Sequence, residues 1–536
     1  MRRILHLMIL VVAAFSCKSE KKRAAVQPTA KDSVVVADPS IPGNFSTQTK
    51  LVFDSTRVDS FLTKFPMFKV YESDLRKFYQ MRNYAYAWYD QKGLIEQTED
   101  IFNRLTNVHD EGLPEKVIYM TEFRAMIDSA ETDVIDNPKP DPYTELMITA
   151  EYFNYARNVW TGVDENTSKK LEWFLPRKTL NYKEFLDSII NSIQQGKKIE
   201  EPVHPQYSML REYLKRFREA EKNGNWMAIK TGRKKIVKGD SGEDVRLLRK
   251  QLFLSKDLTF DSQSPVFDDS LEAGVKSFQQ RYGLNEDGVV GPAILREMNA
   301  PLETRIRQII VNMERARWVS SKPAPNFLLI NIPQFKLTVI ENNKTAWECN
   351  VVVGKEMHKT VIFRGDLKYV VFSPYWNVPP GILKNEILPA IKRNPDYLAR
   401  NNMEWNNGGV RQKPGPGNAL GKVKFLFPNT YNIYLHDSPS KPLFKEEKRA
   451  FSHGCIRVSE PKKLAVYLLR NDSSWNETKI DAAMNSTKEK YVTLKETVPV
   501  NIVYFTAWVD EHGKLNFRDD VYKRDARLLE SIFPKK

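Results

Sequence analysis

The stretch "NFLLINIPQFKLTVIENNKTAWECNVVVG" (326–354) decides the fold of the C-terminal half of this chain. Apolar, β-branched and aromatic residues alternate with polar ones, the mark of half-buried strands. Asn342 and Asn343 supply turn residues that tolerate the left-handed backbone of a tight hairpin. Just before it, "PLETRIRQIIVNMERARWV" (301–319) carries apolar residues at three- and four-residue intervals and reads as one long basic helix. The change of period marks a boundary. A β-rich domain is expected over 323–510, including "LKYVVFSPYWNV" (367–378), with a connecting helix over 301–322. A further hairpin in "VNIVYFTAWVDEHGKLNFR" (500–518) should turn around Glu511 to Gly513, and 511–536 reads as a C-terminal hairpin and helix.

Upstream the pattern is helical. Four segments, "ESDLRKFYQMRNYAYAWY" (72–89), "YTELMITAEYFNYARNVWTG" (143–162), "NYKEFLDSIINSIQQG" (181–196) and "QYSMLREYLKRFREAEKNG" (206–224), predict an all-α scaffold over 51–235. Asp74, Thr144 and Asn181 stand near N-cap positions, and Gly162, Gly196 and Gly224 close the runs. Its Tyr and Trp residues are expected in the core. Residues 236–300 form a smaller unit of three helices punctuated by Gly283, Gly288, Gly291 and Pro292. The fold class is therefore multi-domain α + β.

The chain has 536 residues and a formal charge of +15, which suits an anionic polymer, an anionic membrane surface or nucleic acid. No zinc-finger spacing, Walker loop or interleaving of aromatic and basic residues supports nucleic acid. The N-terminus "MRRILHLMILVVAAFSC" (1–17) has two arginines, an apolar run and a small residue before Cys17, as in a secretory signal. It resembles bacterial lipoprotein signals, which implies lipidation at Cys17; Ala14 and Phe15 depart from the commoner pattern, and a plain cleaved signal is the alternative. Residues 18–50 read as a flexible tether. An exported, periplasmic protein anchored in the membrane of a Gram-negative-type bacterium is expected.

Only Cys349 and Cys455 remain besides Cys17, too few for a disulfide framework, though they could pair with each other. Cys455 lies in "AFSHGCIRVSE" (450–460). A nucleophilic cysteine needs a base and donors for the developing oxyanion. If Ser452 to Cys455 is extended, His453 and Cys455 share a side, Arg457 joins them and Gly454 leaves the backbone open. His436, ending "YNIYLHD", is a second candidate base. A zinc pair or a buried inert thiol are the alternatives, and zinc would normally require four Cys or His ligands. Cys349, within an alternating strand, reads as packing.

"YLHD" followed after fifteen residues by "SHGCIRV" resembles the L,D-transpeptidase catalytic domain, and 236–299 resembles the three-helix peptidoglycan-binding domain. With "VVVGK" (351–355) and "PYWNVPPGI" (374–382), the resemblance is to the large multi-domain branch and covers roughly residues 50 to 530. It implies Cys455 as nucleophile and His436 as base, with His453 and Arg457 shaping the site. Backbone N–H groups of Gly454 and Cys455 would form the oxyanion hole, and Tyr434 would offer a hydroxyl. It also implies a capping insertion at about 379–427 with Trp376 and Asn377 at its base, where Arg411 and Lys413 would meet an acidic stem peptide. The implied reaction forms 3→3 cross-links from peptidoglycan stem peptides, as donor and acceptor, with release of D-Ala and no metal or cofactor. Hydrolysis, transfer to another amine, or a non-catalytic wall-binding role are the rivals.

Overall fold

The computed structural model describes residue 46 and residues 49–534, apart from 96, 115–116, 133–139, 178–201, 225 and 322. The signal, Cys17, nearly all of the tether and the helix expected at 181–196 lie outside the described residues.

The scaffold is organised around α1 (Pro142–Thr161), which is buried on nearly every side. Its N-cap is Asp141, whose carboxylate accepts the Thr144 N–H, so the cap lies three residues before the expected Thr144. Burial forces its acidic residues to find partners. Glu145 accepts from Tyr79 Oη at 2.9 Å and from the Trp88 N–H at 3.0 Å, and desolvation lifts its carboxyl to about 7. The helix expected over 72–89 spans only Glu72–Met81, and Asp74 sits in its first turn rather than at its cap. Asn83 and Tyr84 then take positive φ, and the chain turns so that the Ala87 and Trp88 N–H groups can reach Glu145. α2 (Pro205–Lys222) completes the scaffold.

Residues 236–299 hold three helices, α3 (Glu243–Leu254), α4 (Asp269–Tyr282) and α5 (Pro292–Met298), around a core of their own. Asp268 caps α4 through the Leu271 N–H.

α6 (Leu302–Trp318), expected as a basic connector, is instead an internal strut with thirteen of its seventeen residues buried. Its charges are answered locally. Arg317 donates to Glu314 (2.8 Å), to the Glu111 carbonyl (2.6 Å) and to the Val159 carbonyl (2.8 Å), and Arg315 pairs with Asp525 (2.7 Å).

The C-terminal half is built on a nine-stranded sheet. Its strands are β1 (Phe327–Asn331), β2 (Lys336–Glu341), β3 (Lys344–Gly354), β4 (Arg364–Phe372), β5 (Val423–Leu426), β6 (Leu435–His436), β7 (Ala450–Ser452), β8 (Ile456–Val458) and β9 (Lys490–Val503), in the order β7-β3-β8-β6-β5-β4-β9-β1-β2. A β2–β3 pairing joins the ends, so eight strands close into a ring through the long β3. Asn342 and Asn343, both at positive φ, form the expected hairpin turn. The capping insertion is shorter than 379–427, because Val423–Leu426 pairs with β4 and β6 inside the main sheet. What stands out of the sheet is a run of short helices and a three-stranded sheet of Trp376–Asn377, Met403–Asn406 and Gly409–Gln412. The last hairpin pairs Ala507–Val509 with Leu515–Phe517 and packs on α2 and α6, while 500–503 belongs to β9.

Candidate active site

Where "SHGC" sits follows from β3. Its C-terminal end pairs in parallel with β7 (Ser452 beside Gly354) and antiparallel with β8 (Arg457 beside Val352). The chain must therefore cross the tip of β3 between Ser452 and Ile456. Ser452 to Cys455 is thus a turn and not the expected extended run: Gly454 takes φ +114°, a backbone that L side chains avoid. The crossing is close. A Cβ on Gly354 would stand 3.1 Å from the Gly454 Cα and 2.0 Å from the His358 carbonyl oxygen.

Three side chains hold this turn. The Ser452 hydroxyl donates to the Cys455 carbonyl (2.6 Å) and accepts the Gly454 N–H (3.2 Å). Thr360 donates to the Gly454 carbonyl (2.8 Å) and accepts the Gly354 N–H (2.9 Å). Tyr522 donates to the Gly354 carbonyl (2.6 Å) and accepts the Thr360 N–H (3.2 Å). Sequence reading missed Thr360 and Tyr522, since neither carries a motif and Tyr522 lies 67 positions beyond Cys455.

β6 and β8 pair in parallel, with Leu435 beside Ile456 and His436 beside Arg457. Tyr434 therefore faces Cys455 in the same register, and Tyr434, His436, Cys455 and Arg457 share one face of the sheet. Successive same-face pairs stand about 6.6 Å apart along parallel strands, within reach of an imidazole ring. The thiol donates to the Asn432 carbonyl (Sγ to O 3.5 Å), and the Tyr434 hydroxyl is hydrogen-bonded to the sulfur. Burial raises the Cys455 thiol above its usual range, opposed by Tyr434 and by the Arg457 charge. Burial also drives His436 down to about 4, with the Arg457 charge adding to the effect and the Asp437 and Leu420 carbonyls opposing it. Both shifts favour the neutral forms of the thiol and the imidazole. His436 Nδ1 lies 2.5 Å from the Asp437 carbonyl oxygen, which fixes the proton on Nδ1 and leaves the Nε2 lone pair for a proton acceptor. The Asp437 carboxylate is itself held by the Lys422 N–H (2.8 Å) and Lys441 Nζ (2.6 Å).

Other expected site residues are placed differently. His453 turns away from the thiol towards the capping insertion, with Nε2 3.3 Å from Glu386 and its ring 5.0 Å from that of His358. The Gly454 N–H is taken by Ser452, whereas the Cys455 N–H has no acceptor among the described residues. Arg411 sits beside Asn377 in the small sheet, pairs with Glu404 (2.7 Å) and lies over Tyr375 (4.2 Å). Lys413 pairs with the same Glu404 (3.0 Å). Arg411 and Lys413 thus share one carboxylate and keep one net positive charge between them, and Trp376 packs against the core of the insertion. Cys349 and Cys455 are both free, and burial lifts Cys349 to about 11. No group of three or more His, Cys, Asp or Glu among the described residues is placed to hold a metal.

Comparison with known proteins matches three family profiles: "Scaffold domain" over 73–214, "Putative peptidoglycan binding domain" over 241–298, and "L,D-transpeptidase catalytic domain" over 325–486. A curated relative from Haemophilus influenzae named "Putative L,D-transpeptidase" is 31% identical over 248 residues, 42% of this chain and 50% of the relative, so the chain spans about half the length of the relative it matches. Solved L,D-transpeptidases from Xylanimonas cellulosilytica and Stackebrandtia nassauensis align at 14% and 15% identity with TM-scores of 0.18 and 0.21. They cover 51% of this chain in each case, and 100% and 97% of their own. Residues 325–486 thus match the L,D-transpeptidase catalytic-domain profile, downstream of the matches to a scaffold domain and a peptidoglycan-binding domain.

Proposed function

We propose that the chain is an L,D-transpeptidase whose Cys455 attacks the carbonyl of the third residue of a tetrapeptide stem. The single observation that carries this reading is the parallel β6–β8 register, which gathers Tyr434, His436, Cys455 and Arg457 on one face. As the S–C bond forms, the thiol proton passes to His436 Nε2 and the oxyanion faces the Cys455 N–H. Collapse of the tetrahedral species returns the proton to the leaving amine of D-Ala and leaves a thioester. The side-chain amine of a second stem then attacks, gives its proton to His436, and a 3→3 cross-link results as the thiol is re-formed.

The peptidoglycan-binding module would hold the wall, and a lipid on Cys17 would tether the protein from a membrane on the periplasmic side. Purified full-length chain, incubated with defined tetrapeptide muropeptides and read by mass spectrometry, tests the reading. Cross-linked dimers lacking one D-Ala support it. Tripeptide monomers alone would assign a carboxypeptidase, and unchanged substrate would refute both. Cys455→Ala should abolish the thioester adduct while wall binding persists.

A further inference from the structure

The scaffold reaches onto the catalytic domain through Glu172, Trp173 and Phe174. Glu172 pairs with Lys359 (3.5 Å) and Arg524 (2.8 Å), Trp173 is bridged to Ile362, and the Phe174 N–H donates to the Ile362 carbonyl (3.0 Å). Trp173 is buried against Trp318 (ring centroids 5.1 Å). This contact braces the segment 359–363, whose Thr360 holds the Gly454 turn.

Phe174 behaves differently from Trp173. It is 40% exposed, and its ring lies 5.7 Å from that of Tyr431, 38% exposed, with the planes only 31° apart. Tyr431 rests on Phe363 (4.9 Å) and directly precedes Asn432, whose carbonyl receives the Cys455 S–H. Two half-open rings, one from each domain, thus lie against each other one residue before the carbonyl that receives the Cys455 S–H. Contiguous exposed aromatic surface beside a reactive group is the kind of surface that takes a ligand.

We propose that Phe174 and Tyr431 together form a sugar-stacking subsite for the amino-sugar ring that bears the donor stem. This rests on the transpeptidase reading above and adds a direct role for the scaffold in donor recognition. The reach agrees. The attacked carbonyl belongs to the third stem residue, and three extended residues span roughly 10 Å. Asn432 touches the sulfur and Tyr431 is the next residue, so one Cα–Cα step plus a tyrosine side chain puts its ring on the order of 10 Å from the thiol. A pyranose presents a face of C–H groups, which packs on the electron-rich face of an aromatic ring. Each ring leaves part of its surface open, so a sugar seated at their junction touches both.

The test uses the full-length chain and two donors, a disaccharide-tetrapeptide and the bare tetrapeptide, with D-Ala release giving kcat/KM for each. The wild type should favour the disaccharide form by about tenfold, and Phe174→Ala and Tyr431→Ala should each cut that ratio about three- to tenfold, the size expected of one aromatic contact. Phe174→Trp should retain the ratio. A wild type that treats both donors alike overturns the subsite. So does a pair of alanine variants whose ratio stays at the wild-type value, because a contact that merely braces the domains would slow both donors equally. Failure of the wild type to release D-Ala from either donor refutes the transpeptidase reading itself, and the subsite with it.

Discussion

Replacing Arg457 by Gln should move the acid limb of acylation upward. In the proposed mechanism His436 must be neutral to receive the thiol proton, so acylation is lost as pH falls through its pKa. Burial and then the Arg457 charge hold that pKa at about 4, against an ordinary value of 6.5. The two residues are register partners on paired strands. With charge centres taken about 6 Å apart and an effective dielectric of about 20, their repulsion is about 2.8 kcal/mol, equivalent to about 2 pH units. Arg457 is partly exposed, solvent screens it, and burial is the larger cause, so about one pH unit is expected from its removal. The assay is single-turnover acyl-enzyme formation followed by intact-protein mass spectrometry between pH 3.5 and 8. The wild-type limb should fall near pH 4 and that of Arg457→Gln near pH 5, with a lower plateau because the thiol also loses a cationic neighbour. Arg457→Lys should keep the limb in place. A wild-type limb near pH 6.5, or one that stays put in Arg457→Gln, would refute the electrostatic account.

The same histidine should make the fold acid-sensitive. Its folded pKa lies below its unfolded one, so the unfolded chain binds the extra proton, and stability is full above pH 6.5 and declines as pH falls towards about 4. The loss is at most about 3 kcal/mol, and urea unfolding across that range should lose this component in His436→Gln. Thr360→Val strips the Gly354 N–H and Gly454 carbonyl of their shared partner, so it should cost about 2 kcal/mol and slow acylation more than it alters wall binding; unchanged acylation would count against the turn being held in this way. Iodoacetamide should alkylate Cys455 slowly in the native protein and spare Cys349 until unfolding, as peptide mapping would report.

Short-range features were legible before the fold was known. The Asn342–Asn343 turn, the glycine and proline breaks of the three-helix module and the pairing of His436 with the Cys455 segment all rest on spacings of a few residues, or on one motif whose halves lie side by side in the sheet. Geometry that depends on distant partners was not. The extended reading of Ser452 to Cys455 failed because two strands share the end of β3, which no local period encodes. The helix expected past Met81 lost to a buried carboxylate sixty-odd residues away that needs the Ala87 and Trp88 N–H groups. Arg411 looked available for a substrate because Glu404, its partner, lies across a hairpin. α6 was read from its charge, yet Glu111, Glu314 and Asp525 allow its arginines to go inside.

Those interior arginines bear on how the molecule comes apart. α6 shares one continuous hydrophobic core with the scaffold, the sheet and the last hairpin, whereas residues 236–299 close a separate one. Cooperative unfolding follows cores rather than boundaries drawn along a sequence. The small module should melt as its own unit, while scaffold and catalytic domain melt together. A fragment starting at residue 325 would leave behind the strut on which its sheet rests, with Phe505 stripped of the Trp173 ring it packs against. The catalytic domain of this chain is therefore not a portable part, and the module inserted between its two supports is.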